Sequence, residues 1–137
     1  CNLDSENRQC YQALRDCVAT GAESASAGAK SSRIAATMSD LLNSRGITGS
    51  FPHGHGIGLE VRDYPILVPD NGLRIQDDCV DEPSDIALET NMVISLEAGL
   101  FTPGAFSFQV ECSYVVTENG GKPLIPQDRT NPIVPSW

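Results

Sequence analysis

Basic residues are scarce in this chain, and long apolar runs are missing. Lys and Arg number 9 against 18 Asp and Glu, a formal net charge of −9 over 137 residues. That balance argues against nucleic acid and anionic membrane surfaces, both of which are recognised through basic patches. No apolar run approaches the length that spans a bilayer, and no basic-then-apolar leader follows Cys1. The chain has no C-x-x-C pair, no internal repeat and no low-complexity segment. Small molecules, peptides and cations remain as partners. The length suits one domain with one core. Because it opens on Cys1 rather than Met, we expect a processed or partial piece of a longer protein. The cysteines are five, an odd number. Cys10 and Cys17 lie about 10 Å apart along a helix axis, too far for a disulfide. All five are expected to be reduced thiols in a cytoplasmic protein, serving as small buried hydrophobes.

The first third reads as helical. Tyr11, Leu14, Val18 and Ala22 recur at steps of three and four, which predicts a helix from about Asp4 to Ala25. "SAGAK" (Ser26 to Lys30) breaks it. Ile34, Met38, Leu41 and Leu42 mark the buried face of a second helix from about Ser32 to Ser44, with Gly46 as its stop. Pro65 to Asp85 is rich in Pro, Asn, Gly and Asp and reads as a long loop, with a short strand at Leu73 to Gln76. Strands are predicted over Asn91 to Phe101 and from Phe106 towards Gly121, the second running into a turn at Glu118 to Gly121. The proline-rich tail after Pro123 is expected to lie extended on the surface. Helices followed by antiparallel strands make an α+β class.

Strand alternation sorts the side chains. Phe106, Phe108, Val110 and Cys112 share an apolar face, leaving Ser107, Gln109 and Glu111 on the other. Met92, Ile94 and Leu96 likewise oppose Val93, Ser95 and Glu97. Two carboxylates on adjacent strands, each inside an apolar run, repel one another, and a bound cation resolves the conflict. The stretch "FPHGHGIGLEV" (Phe51 to Val61) supplies imidazoles. If it is extended, His53, His55, Ile57, Leu59 and Val61 point one way, and Gly54, Gly56 and Gly58 the other, where a neighbouring backbone can approach closely. One His with two Glu suits Mn²⁺, Fe²⁺, Co²⁺ or Zn²⁺ rather than a thiolate site. An H-x-H pair also serves as an ordinary loop or core pair, so spacing alone leaves both readings open.

"GHGIGLEV", then "NMVISLEAGLF", then "FQVECSYVVTENG" resembles the pita-bread metallohydrolases, among them methionine aminopeptidase, Xaa-Pro aminopeptidase and dipeptidase, and creatinase. The ordered set spans Gly54 to Gly121, the two helices fit it as well, and "EVRDYP" is similar to the Xaa-Pro peptidase branch. The resemblance implies the C-terminal half of a pita-bread catalytic domain. Its helices would occupy about 4–45 and its metal-site strands about 47–121, with an extended tail over 122–137 and two helices packed on a curved antiparallel sheet. It implies two divalent metal ions (Mn, Co, Fe or Zn), with His55 a terminal ligand, Glu97 a ligand and general base, and Glu111 a bridge between the ions.

The departures matter. The family's two Asp ligands precede the helices, whereas the Asp residues between Asp63 and Asp81 follow His55. Arg62 stands where the family has a substrate-contacting His. Phe51 stands at another family His, with His53 shifted towards the ligand. Glu-Pro-Gly has become Glu97-Ala98-Gly99. His53, Arg62 and Glu97 are the candidate catalytic residues, and Arg62 could instead grip a substrate carboxylate. The expected activity is metal-dependent hydrolysis of Xaa-Pro peptides. The alternatives are a relative acting on a small non-peptide molecule, as creatinase does, and a non-catalytic binding module. The retained His55, Glu97 and Glu111 count against the last. For this chain alone the expectation is weak metal binding or none, no peptide hydrolysis, and association with its own N-terminal half or a second copy. Homodimers are what the resemblance implies.

Overall fold

The computed structural model describes residues 4–77, 80–83 and 85–126. Helix α1 (Ser5–Ser24) begins where a side chain can satisfy its first turn: Asp4 accepts from the Asn7 N–H at 2.8 Å. Its buried stripe is Ala13, Leu14, Cys17, Val18, Gly21 and Ala22. Tyr11 lies at the margin, edge-on to Phe108. Helix α2 (Ser31–Ser44) has no cap from its own preceding residue, Lys30. Asp85 does that work from 53 residues away in sequence, accepting from the Ser32 N–H at 3.0 Å. Gly46, at φ +73°, follows the end of α2. Ile34, Ala35, Met38 and Leu42 are buried, with Leu41 packed at the edge of the core. The helices meet at Gly21, where an added Cβ would lie 2.6 Å from Met38 Sδ.

The strands are β1 (His53–Gly56), β2 (Asp63–Leu67), β3 (Arg74–Asp77), β4 (Val80–Pro83), β5 (Val93–Thr102), β6 (Phe106–Thr117) and β7 (Gly120–Pro123). Five of them form a curled antiparallel sheet in the order β2-β1-β5-β6-β7, and β3 pairs with β4 separately. The helices cover one sheet face. Ile94, Leu96 and Ala98 of β5 and Tyr114 and Val116 of β6 join Leu14, Val18, Ile34 and Met38 in one core. The opposite face carries Ser95, Glu97 and Glu111, as alternation requires. The "SAGAK" break is tied to the sheet and to the segment before β5 by backbone bonds, Ala27 N to Thr117 O and Gly28 N to Leu88 O.

Three expectations are corrected. Residues Pro65 to Asp85 are not a long loop: besides β3, which lies one residue along from the short strand expected at Leu73 to Gln76, they contain the end of β2 and the partner strand β4. Pro65 is tolerated because β2 is an edge strand, where a missing N–H costs no ladder bond. The hairpin is stapled by Arg74, which donates to an Asp81 carboxylate oxygen at 2.7 Å. Second, the strand holding the histidines stops at Gly56, so Ile57, Leu59 and Val61 do not share its inner face and are exposed. Third, Gly120 and Gly121 begin β7 rather than closing a turn. The expected surface tail lies almost wholly outside the described residues, as do Cys1 and Cys79. Cys10 and Cys17 are free thiols.

Two measurements check this architecture. A Cβ on Gly56 would collide with the Tyr64 carbonyl, so Gly56→Ala should lower stability by about 3 kcal/mol. The urea midpoint should shift while the slope is unchanged. Burial pushes the Cys17 thiol from 9.0 up to about 12. The folded state therefore disfavours the thiolate, and stability should be intact below about pH 9 and fall as pH rises from there towards 12. That fall should shrink in Cys17→Ala, as read by urea unfolding across the same pH range.

Candidate functional site

Three adjacent strands bring the candidates together. β1 pairs with β5 so that His53 faces Glu97 and His55 faces Ser95. β5 pairs with β6 so that Glu97 faces Glu111. A single row therefore runs His53, Glu97, Glu111, with His55 one step along the sheet on the same face. The intervening Gly54 is required by close approach: a Cβ there would lie 2.6 Å from Leu96 and 2.7 Å from the Ser95 carbonyl oxygen. The glycines around the second histidine are thus a packing device, and the histidines use the other face.

Glu97 is the centre of the constellation and is only 4% exposed. Its Oε1 meets His53 Nε2 at 2.7 Å and accepts from Arg62 Nη2 at 3.2 Å and Nε at 3.4 Å. Its Oε2 accepts from Gln109 Nε2 at 2.9 Å. Both oxygens are therefore satisfied, as a buried carboxylate requires. The second nitrogen of His53, Nδ1, lies 2.9 Å from the Phe51 carbonyl oxygen. Both ring nitrogens thus face oxygens. An imidazole and a guanidinium converge on one carboxylate oxygen.

His55 is arranged differently. Its Nδ1 sits 2.8 Å from the Gly56 carbonyl oxygen, which fixes the proton there and leaves Nε2 as the lone-pair nitrogen. Nε2 is 3.7 Å from Glu97 Oε1 and 3.5 Å from Glu111 Oε1, beyond hydrogen-bond range. Two donors sharing a tetrahedral ion at 2.0–2.2 Å would stand about 3.4 Å apart, so the type and spacing of these donors suit a divalent metal. Their present arrangement does not. Among the described residues no group of three or more His, Cys, Asp or Glu is arranged to hold a metal ion; Glu97 Oε1 lies against Arg62 and His53. Glu111, whose side chain is 45% exposed, accepts from the Ser95 hydroxyl at 2.8 Å.

Arg62 reaches Glu97 from the turn that ends the histidine strand. That turn is built on Asp63, whose Oδ2 accepts from the Leu59 N–H at 3.0 Å and whose Oδ1 accepts from the Tyr64 N–H at 3.1 Å. Gly58 leaves room for that carboxylate. These backbone donors, at Tyr64, Glu60 and Leu59, hold the Asp63 carboxyl below its ordinary range. Three residues of the site went unassigned in the sequence. Gln109 and Ser95 lay on the polar rows already drawn for Glu111 and Glu97, so alternation contained the signal. Asp63 carried none beyond its place after a glycine-rich stretch.

Since the Asp63 carboxyl is held below its ordinary range, its contribution is present above that range and is lost as pH falls through the folded value. Protection of the Leu59 and Tyr64 amides, taken against the intrinsic exchange rate at each pH, should therefore fall on strong acidification. In Asp63→Ala the same loss of protection should appear at neutral pH, with Arg62 released from Glu97. Unchanged protection in that variant would show that the turn stands without its carboxylate.

The chain matches the model of metallopeptidase family M24 over residues 2–118. It is 29% identical over 132 residues to the Xaa-Pro dipeptidase of Lactobacillus helveticus, covering 95% of this chain and 32% of that relative. It is 30% identical over 119 residues to the probable dipeptidase PepE of Mycobacterium tuberculosis, covering 85% of this chain and 28% of the relative. The chain thus spans about a third of the length of the curated relatives it matches. Among solved structures, dipeptidase PepE from Mycobacterium ulcerans superposes with a TM-score of 0.75 at 27% identity, over 93% of this chain and 32% of that one. Prolidase from Pyrococcus furiosus gives 0.72 at 23% identity, over 93% and 34%, a likeness of fold. Both are pita-bread proteins, and the two helices and curled sheet seen here are part of that fold.

Proposed function

Because this chain belongs to metallopeptidase family M24, we propose that it forms part of a metal-dependent peptidase of the Xaa-Pro type. The observation that carries the reading is the meeting of His55, Glu97 and Glu111 on one sheet face, with Nε2 of His55 directed at both carboxylates. His55 through Nε2, and Glu97 and Glu111 through their carboxylates, are the residues that would hold divalent metal, manganese being the first to assay. Such an ion supplies Lewis acidity to a carbonyl and makes a water acidic enough to attack at neutral pH. Glu97 takes the proton of the attacking water, a role suited to a carboxylate screened from solvent. Gln109 steadies its Oε2, so the proton arrives at a fixed atom. Gly54 and Gly56 let the histidine strand lie tight on its neighbours and hold His55 in register.

A second reading is a same-fold relative acting on a small non-peptide acid. Arg62 favours it, because a half-exposed guanidinium beside the reactive carboxylate can turn to grip a substrate carboxylate. Either reading includes a partner for the exposed apolar side chains Phe51, Ile57, Leu59 and Val61 beside the site. That partner is an N-terminal half of the same fold or a second copy. A cytoplasmic setting goes with the unbridged thiols of Cys10 and Cys17. No helix among the described residues is long and apolar enough to cross a membrane.

The whole protein should hydrolyse Xaa-Pro dipeptides, lose that activity to a chelator and regain it with Mn²⁺. Glu97→Gln should lower kcat by roughly 10²–10⁴-fold. Full turnover in Glu97→Gln, or turnover indifferent to chelation, would remove the reading. A preference for small non-peptide acids that Arg62→His abolishes would establish the second reading in its place.

A further inference from the structure

We infer that Arg62 is a built-in competitor for the cation position of this site, so that divalent metal gains Glu97 only by displacing the guanidinium. The inference rests on the reading of His55, Glu97 and Glu111 as metal ligands and concerns what controls access to them. Glu97 and Glu111 face each other directly across β5 and β6, and Glu97 is almost wholly buried. Such a pair demands positive charge nearby. Arg62 meets that demand permanently, because a guanidinium does not lose its proton in a protein. It donates through Nη2 and Nε to Glu97 Oε1, the same oxygen that faces His55 Nε2 across 3.7 Å. With that oxygen also on His53 and the other on Gln109, Glu97 has no idle oxygen to offer an incoming ion.

The placement is built rather than incidental. The guanidinium is delivered by the turn that the Asp63 carboxylate braces through the Leu59 and Tyr64 amides. The Arg62 side chain is nevertheless 54% exposed, so it can swing into solvent and release the carboxylate without unpacking the core. The donors of suitable type and spacing, and their failure to converge in the resting arrangement, then have one cause. A neutral side chain at position 62 leaves the carboxylates uncompensated until a cation arrives, which raises affinity for that cation.

The test is Mn²⁺ binding by this chain, measured by calorimetry and by loss of the free-ion electron paramagnetic resonance signal. Arg62→Gln should bind at least about tenfold more tightly than the unaltered chain, the scale on which groups touching metal ligands alter metal affinity. His55→Ala added to Arg62→Gln should abolish the gain. Arg74→Gln removes the same charge from the remote β3–β4 hairpin, where Arg74 pairs with Asp81, and should leave affinity unchanged. Binding by Arg62→Gln no tighter than that of the unaltered chain, or an equal gain in Arg74→Gln, overturns the inference. If those equal affinities are both lost on His55→Ala, the metal site itself stands. If no variant takes up Mn²⁺, the inference is overturned, while the metal reading stands or falls on the chelation assay of the whole protein. Zn²⁺ titration of the unaltered chain, followed through the Arg62 Nε–H and His55 ring resonances, does not depend on the variants folding. The Arg62 signal should move together with that of His55. An Arg62 signal that stays fixed while His55 shifts overturns the inference.

Discussion

A carboxylate with almost no exposure must have its charge answered within the protein, and Glu97 sets that requirement at the middle of the sheet. Everything on the polar face is arranged around it. His53 and Arg62 take one oxygen and Gln109 takes the other. Glu111 stands directly across the strand pair and is steadied by Ser95. Burial makes the arrangement demanding, because an unpaired charge in this position costs several kcal/mol. The same burial makes the group useful, since a carboxylate shielded from water interacts strongly with whatever cation or proton reaches it.

The rest of the fold exists to hold the strands that present these groups. The apolar alternation of β5 and β6 packs Ile94, Leu96, Ala98, Tyr114 and Val116 beneath α1 and α2, which fixes which face Glu97 and Glu111 occupy. A one-residue slip would exchange the faces and bury the carboxylates among leucines. Gly54 then lets β1 approach β5 closely enough for the imidazoles to reach the row, and Gly56 admits the Tyr64 carbonyl of β2 on the other side. Asp85, capping α2 from far along the chain, ties the second helix to the segment that leads into β5. Core, cap and site are therefore one mechanical unit.

The match to family M24 covers most of the chain, and the departures from the family pattern meet at one point. Arg62, in the place of a family histidine, and His53, displaced along the strand, both bind the same oxygen of Glu97. The departures recognised separately along the chain therefore converge on one carboxylate. A guanidinium and an imidazole stand against Glu97, and the two carboxylates that the resemblance implies as metal ligands remain.

What the sequence determined by itself was whatever depends on local period and chain order. Both helices and the faces of β5 and β6 follow from spacing, because apolar repeats dictate which side is buried, whereas the grouping of His55, Glu97 and Glu111 came from the resemblance that the ordered motifs carry. The tertiary structure decided what depends on pairing between distant segments. Around the short strand expected in the Pro- and Asp-rich stretch it added an edge strand and a hairpin partner, since strand pairing overrides composition wherever a partner supplies the hydrogen bonds. It ended the histidine strand at Gly56 instead of Val61, because the Asp63 carboxylate captures the Leu59 amide and bends the chain back. That bend alone brings Arg62 to Glu97, 35 residues away, and no local pattern encodes so distant a contact between charges.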